Sequence, residues 1–231
     1  MVTAKTSMIS SVWHQSNYEV STLSKRVYVF MISIWLVAGL VASALSANAM
    51  ITSGYELGVW ETIGLIVLTF AGAILSGYSD NSPVSLFAYI LIAIPFGMLL
   101  GPLLQTYSEG VLVKTLFVTT SMVVVLGFVG TIIPQSLESW GSYLMGALLI
   151  LIVGMLAVPI ASYLGFPVSG ALGLIDWCAV IIFSAFVVFD MNRAMRLPRT
   201  VNNTINVATA IYLDFLNLFV HLLRIMSGSN D

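Results

Sequence analysis

The chain has little charge and almost no cysteine, and both shortages restrict what it can be. Only 8% of its 231 residues are charged, whereas a soluble domain carries about 25%, so the chain cannot cover a water-facing surface. The formal net charge is -2, and no basic patch large enough for nucleic acid is present. The single cysteine, Cys178, excludes a disulfide framework and a cysteine-based zinc site. Its position inside an apolar run predicts a buried, inert thiol.

Long apolar runs make up most of the chain, in which 59% of the residues are hydrophobic. A membrane-spanning helix needs about 20 mainly apolar residues. Backbone groups in lipid must be satisfied within their own segment, so such runs are helices rather than strands. We therefore predict an all-α integral membrane protein with one transmembrane domain over 25–231. The seven predicted spans are 27–47, 58–78, 84–104, 112–133, 142–164, 171–192 and 204–226.

The N-terminal segment, 1–24, is polar and rich in Ser and Thr, which predicts a mobile cytoplasmic tail. The run that follows Lys25 and Arg26 ends in small residues, as a secretory signal does. The apolar core of a signal has only about 7–15 residues, however, and this run is longer. An uncleaved first span is therefore favoured.

The positions of Lys and Arg predict the orientation, because cytoplasmic loops carry the excess of these residues. With a cytoplasmic N-terminus, Lys114 and Arg224 lie toward the outside. The residues then on the cytoplasmic side are Lys5, Lys25, Arg26, Arg193, Arg196 and Arg199. We expect the plasma membrane of a bacterium, with the N-terminus inside and the C-terminus outside.

Two aspartates fall well inside predicted spans, where an ionisable side chain costs roughly 2.5–3.5 kcal/mol on insertion scales and usually faces a cavity or the bundle interior. Asp214 lies deep in the seventh span, and Asp190 lies near the cytoplasmic end of the sixth. The remaining acids stand near span ends, where we expect them to be solvated: Glu56, Glu61, Asp80, Glu109, Glu138 and Asp176.

The seventh span carries a polar stripe. Asp214, Asn217, His221 and Arg224 are spaced by three, four and three residues, which places them on one helical face. The rest of that helix is apolar, so the stripe must pack against protein or water. The seventh helix is therefore expected to be central or to line a pore, with His221 as a hydrogen-bonded interior histidine.

Asp190 and Asp214 are expected to meet, because the sixth and seventh helices are consecutive and antiparallel. Two carboxylates in a low dielectric cannot easily both be ionised. They would share a proton and titrate as one pair. Such a pair can sense protons, bind a cation weakly, or only tie the two helices together by a hydrogen bond.

The segment IYLDFLNLFVHLLRIMSG at 211–228, preceded by VVFDMNRA at 187–194, resembles the C-terminal signature of the Bax inhibitor-1 family. The number of spans and the GPL turn after the third span, at 101–103, are compatible with it. The resemblance implies six helices around a central seventh, and a pH-sensitive calcium leak gated by Asp190 and Asp214. Some members latch these aspartates with a basic residue at the inner end of the second span. Here that region reads SGYSDNSP, and Arg193 is the candidate instead.

The expected ligands are therefore calcium and protons within the lipid bilayer, with other membrane proteins as further partners and no resident cofactor. Calcium takes about six to eight oxygen ligands, so Asp190 and Asp214 would bind it weakly and transiently, which suits permeation. Asn217, Arg193, His221 and Arg224 are expected to support the pair.

Two rival functions stay open. One is a proton-coupled carrier of a cation or small solute, and the other is a non-conducting regulator that binds membrane partners. An intramembrane aspartyl protease also needs two adjacent aspartates, but its Gly-x-Gly-Asp motif is missing. We therefore expect no enzymatic activity.

Overall fold

The computed structural model describes residues 22–166, 168 and 170–228. Within these residues the chain forms seven α-helices and no strand, and all seven are long and apolar enough to cross a membrane, as predicted. Apart from 22–24, the predicted N-terminal tail lies outside the described residues. The helices are α1 (Lys25–Ser53), α2 (Val59–Tyr78), α3 (Ser82–Leu104), α4 (Glu109–Ile132), α5 (Trp140–Tyr163), α6 (Ala171–Ala194) and α7 (Val201–Gly228).

The first compact unit contains α1, α2, α3 and the first part of α7, up to Tyr212. Here α3 packs against both α1 and α2. The pattern Gly97-Met-Leu-Leu-Gly101 predicts close helix packing, and the structure confirms it. A Cβ atom at Gly97 would overlap Ser46 Oγ and the backbone of Ser43, and one at Gly101 would lie 2.9 Å from Met50 Cβ. The two glycines therefore let the α1 backbone approach α3.

The GPL segment is not a turn after α3, as the sequence suggested, but belongs to its last helical turn. Pro102 has no backbone N–H to donate, but the hydrogen bond from Gln105 N to Gly101 O, at 3.3 Å, forms across its position. The helix therefore continues past Pro102 to Leu104.

Buried asparagines at the start of α7 hold the end of α2. Asn202 and Asn206 each donate from Nδ2 to the backbone oxygen of Ser79, at 3.0 and 3.3 Å. Ser76 Oγ in turn donates to Asn206 Oδ1 at 3.4 Å. The predicted spans leave 193–203, which include Asn202, as a loop. Instead α7 begins at Val201, and Asn202 and Asn206 bind a carbonyl that α2 leaves unpaired at its end.

The second compact unit contains α4, α5, α6 and the remainder of α7, from Leu213. Here α6 packs against both α4 and α5. The buried Asn192 of α6 binds the loop that joins α4 to α5. Asn192 Nδ2 donates to the backbone oxygens of Ile133 and Gln135, at 3.0 and 3.1 Å. Leu137 N donates to Asn192 Oδ1 at 3.1 Å. The end of α6 that carries Asp190 is thereby held in place.

The last helix differs from the others in its burial. In the most apolar stretch of 18 residues, 83% of the residues are buried in α7, against 11% to 50% in the other described helices. The mean hydropathy of α7 is also the lowest of the seven. Residues 202–209 are all buried. Among the described helices, the most buried one, α7, is therefore the least apolar. The arrangement of six helices around α7 stays a prediction.

The orientation of the chain can be tested by cysteine labelling. In a Cys178→Ala background, Ser7→Cys and Ser229→Cys should react with a membrane-impermeant maleimide from opposite faces, because an odd number of spans separates them. Ser7→Cys is expected to label only after the membrane is opened. Labelling of both positions from the same face would contradict the seven-span topology.

Candidate functional site

Asp190 on α6 and Asp214 on α7 lie together in the second unit, close enough for their carboxyls to interact. Asp214 is buried, with 6% of its surface exposed, and Asp190 is half-buried. Among the described residues, Asp214 Oδ2 is buried without a hydrogen-bond partner. The structure thus brings the two carboxyls together as the sequence predicts, and one carboxyl oxygen remains available as an acceptor.

Arg193 supplies positive charge to this pair. It follows Asp190 by three residues, about one helical turn, and its guanidinium interacts electrostatically with both Asp190 and Glu138. Glu138 belongs to the α4–α5 loop that Asn192 holds. Arg193 therefore interacts with Asp190 on its own helix and with Glu138 in the loop.

His221 and Arg224 do not join the aspartate pair but contact Asp176, near the start of α6. His221 Nδ1 lies 2.6 Å from Asp176 Oδ1, and Arg224 Nη1 donates to the same oxygen at 3.4 Å. Asp176 and His221 are both buried, with 6% and 2% of their surfaces exposed. The prediction that Asp176 is solvated is wrong. The prediction of a hydrogen-bonded interior histidine is confirmed.

Asn217 stands on the α7 stripe between the two groups. Its Nδ2 donates to the backbone oxygen of Leu213 at 2.7 Å, and the residue is half-buried. The amide is thus occupied by its own helix. Of the four residues expected to support Asp190 and Asp214, only Arg193 interacts with the pair. His221 and Arg224 contact Asp176 instead. Asn217 donates to the backbone of its own helix.

The spacing of the aspartates on α6 contained a signal that pointed to Asp176. Asp176 and Asp190 are 14 residues apart (190 − 176), close to a whole number of helical turns. A helix that turns Asp190 inward therefore turns Asp176 inward too. Cys178, two residues farther on, must then face the other way, and it is exposed. The prediction of a buried thiol is wrong for that reason.

Comparison with known proteins identifies the family. The family model described as "Inhibitor of apoptosis-promoting Bax1" matches residues 20–231. The chain belongs to the Bax inhibitor-1 family. The match includes all seven helices and every residue of the two side-chain groups described above.

Bacterial relatives of this Bax inhibitor-1 family member are distant but cover most of its length. An uncharacterized protein of Borreliella burgdorferi is 26% identical over 207 residues, covering 83% of this chain and 85% of the relative. One from Deinococcus radiodurans is 24% identical and covers 94% and 98%. The inner membrane protein YbhL of Escherichia coli is 24% identical and covers 88% and 92%. The chain is accordingly a membrane protein with seven apolar helices.

The donor set around Asp190 limits what this family member could bind there. Within the described residues no group of three or more His, Cys, Asp or Glu side chains is placed to hold a metal ion. Calcium prefers about six to eight oxygen ligands. Two carboxyls can therefore contact a passing cation but cannot form a tight storage site by themselves.

Proposed function

We propose that the chain is a pH-sensitive calcium leak channel in the plasma membrane of a bacterium, with Asp190 and Asp214 as its proton-sensing and ion-contacting groups. The observation that carries the proposal is the pair of interacting carboxyls, Asp190 on α6 and Asp214 on α7. Ionisable groups at such positions are costly and mark ion pathways or proton sites. Membership of the Bax inhibitor-1 family supports the same assignment.

The chemistry follows from the number of protons on the pair. With one shared proton, the two carboxyls attract each other and hold α6 to α7. When that proton leaves, two negative charges stand side by side in a low dielectric and repel. A divalent cation relieves that repulsion, and Asp214 Oδ2 is an acceptor without a protein partner among the described residues. Proton loss and cation passage are thereby linked.

Arg193 adjusts this balance. Its positive charge favours an ionised Asp190, whereas Glu138 in the α4–α5 loop competes for the same guanidinium. Arg193 therefore takes the role of the latch in our proposal. Because the loop is held to α6 by Asn192, the competition involves small shifts of side chains rather than a separation of helices.

A proton-coupled carrier is the second candidate, because the same pair could release its proton with each transported solute. The two functions differ in their response to a proton gradient. A leak lets calcium move down its own gradient at a rate that the pH sets. A carrier moves its solute uphill when only a proton gradient is supplied. A non-conducting regulator does neither.

Purified protein in liposomes that contain a trapped calcium dye should test the proposal directly. We expect calcium influx whose rate changes between about pH 6 and pH 8, a range that coupled buried carboxyls reach. The pH should be equal on both sides, so that no proton gradient exists. Influx equal to that of protein-free liposomes over the whole range would contradict the leak.

A matched variant controls for surface charge. Glu109 is an exposed acid in the first turn of α4, so Glu109→Gln removes one carboxylate without touching the pair. Its flux should follow that of the unmodified chain at every pH. Uphill calcium movement under a proton gradient alone would replace the leak with the carrier.

A further inference from the structure

The contact between Asp176 and His221 is a second titratable group, separate from the pair at Asp190. Both side chains are buried. Asp176 Oδ1 lies 2.6 Å from His221 Nδ1 and accepts a hydrogen bond from Arg224 Nη1. A buried carboxylate is costly unless it is paired and hydrogen-bonded. The contacts with His221 and Arg224 meet that need.

The two groups lie toward opposite ends of α6. Asp176 follows the first residue of α6 by five positions, and Asp190 precedes the last by four. At the helical rise per residue, the 14 positions between them correspond to about 21 Å. Buried apolar side chains occupy the same stretch of the helix: Ala179, Val180, Phe183 and Val187.

Phe183, which lies between Asp176 and Asp190 along α6, stacks on the His221 ring. The two rings are inclined by only 18°, with their centroids 6.3 Å apart. Of the Arg224 side chain, 42% is exposed. A guanidinium at the end of an apolar helix extends toward water. The site therefore adjoins the surface near the C-terminal end of α7.

We propose that Asp176, His221 and Arg224 form a second protonation site, at which His221 takes up a proton and gives the chain a separate response to pH at that end of α6. Histidine is the side chain whose charge changes near neutral pH. Its protonation puts a positive charge beside Asp176 and competes with Arg224 for one oxygen. Arg224 is then free to turn toward water.

The charged groups that act on His221 are Asp176 on α6 and Arg224 on α7. The helices α4 and α5 also pack against α6. Their ionisable side chains are exposed: Glu109, Lys114, Tyr143 and Tyr163. Asp176 and Arg224 are therefore the charged side chains that act on the buried His221 ring, and they carry opposite charges.

Imidazole nitrogen spectra can test this site without any transport assay. The chain has two histidines, so His14→Gln leaves His221 as the only one in the full-length protein. With 15N-histidine in lipid nanodiscs, we expect a change from neutral ring to imidazolium between about pH 5 and 8. A ring that stays in one state throughout that range would overturn the proposal.

Two further variants separate electrostatics from damage to the fold. Asp176→Asn should lower the protonation equilibrium constant of His221 at least about tenfold, the effect of losing an opposite charge in contact. Arg224→Gln should raise it. Ser227→Ala, one turn beyond Arg224, should leave it unchanged. Shifts of the same sign in Asp176→Asn and Arg224→Gln would overturn the assignment, because general loosening of the site moves both alike.

The effect on transport rests on the proposed calcium leak. In liposomes with the pH set separately on each side, His221→Gln should abolish the response of calcium flux to pH on one side only. The response to pH on the other side should remain. If His221→Gln leaves both responses intact, the site has no part in the pH response. If the unmodified chain carries no calcium, the proposed function fails, and the nitrogen spectra alone decide whether His221 is a protonation site.

Discussion

Replacing either Asp190 or Asp214 with Asn should remove most of the pH response of calcium flux. The remaining acid loses the like-charged neighbour with which it shares a proton, so the pair no longer titrates as a unit. In each single variant the flux rates at the two ends of the pH range should differ only by the response that His221 contributes, and the double variant should add little, because groups that act together are non-additive. The measurement is dye-reported influx in liposomes for all three variants.

The same variants distinguish a sensor from a structural tie. Asn keeps a hydrogen-bonding side chain, so a pair that only fastens α6 to α7 predicts altered stability with an unchanged pH profile. Thermal melting of each variant should be measured beside its flux. Normal melting together with unchanged pH profiles in both single variants would remove Asp190 and Asp214 from the mechanism. Glu109→Gln serves as the acid-to-amide control.

The second large effect concerns packing between α1 and α3. Gly97→Leu should lower the free energy of unfolding by at least about 1–3 kcal/mol, which is the typical cost of overpacking a tight core. Even the first added atom would overlap Ser46 Oγ and the backbone of Ser43, whose Cα would lie only 2.6 Å away. Backbone cannot turn aside as a side chain can, so α1 and α3 must separate. Unfolding monitored by helical circular dichroism in mixed micelles reports the change.

Gly64→Leu is the matched control for this experiment. Gly64 also lies inside a helix, but a Cβ there would meet nothing within 4 Å. The same substitution should leave stability unchanged or raise it slightly, since leucine is the better helix former. Equal loss of stability at Gly64 and Gly97 would show that the contact between α1 and α3 is not the cause.

The helices could be predicted because their length is set by the membrane, whereas their ends depend on contacts that hydropathy does not register. The sequence ended the first span at 47, but α1 continues to Ser53. At the start of the last span, the polarity of Asn202 and Asn203 predicts a loop. They are helical and buried, since Asn202 binds Ser79 O and Asn203 donates from Nδ2 to Pro198 O at 2.7 Å.

The site was predictable where a charge stood alone in an apolar span and was missed where a charge stood near a span end. Asp214 has no interface close by, so its depth already required a partner. Asp176 lies close enough to the end of α6 that water was a sufficient partner on the sequence alone. The rotation of an almost uniformly apolar helix is set by its neighbours. The 14-residue spacing from Asp190 indicates which way Asp176 and Cys178 face, and the contact between Asp176 and His221 shows it.

The combination of low hydropathy and high burial in α7 has a consequence for how the protein is made. An aspartate near the middle of a span opposes entry into lipid by about 2.5–3.5 kcal/mol, and the asparagines of α7 add to that opposition. Six more apolar helices precede α7 in order of synthesis. The backbone oxygen of Ser79 at the end of α2 accepts a hydrogen bond from Asn202, and Asp190 on α6 interacts with Asp214, so the earlier helices supply partners that lipid lacks. Insertion of α7 is thus a folding step, in which the growing protein rather than the bilayer serves as the solvent.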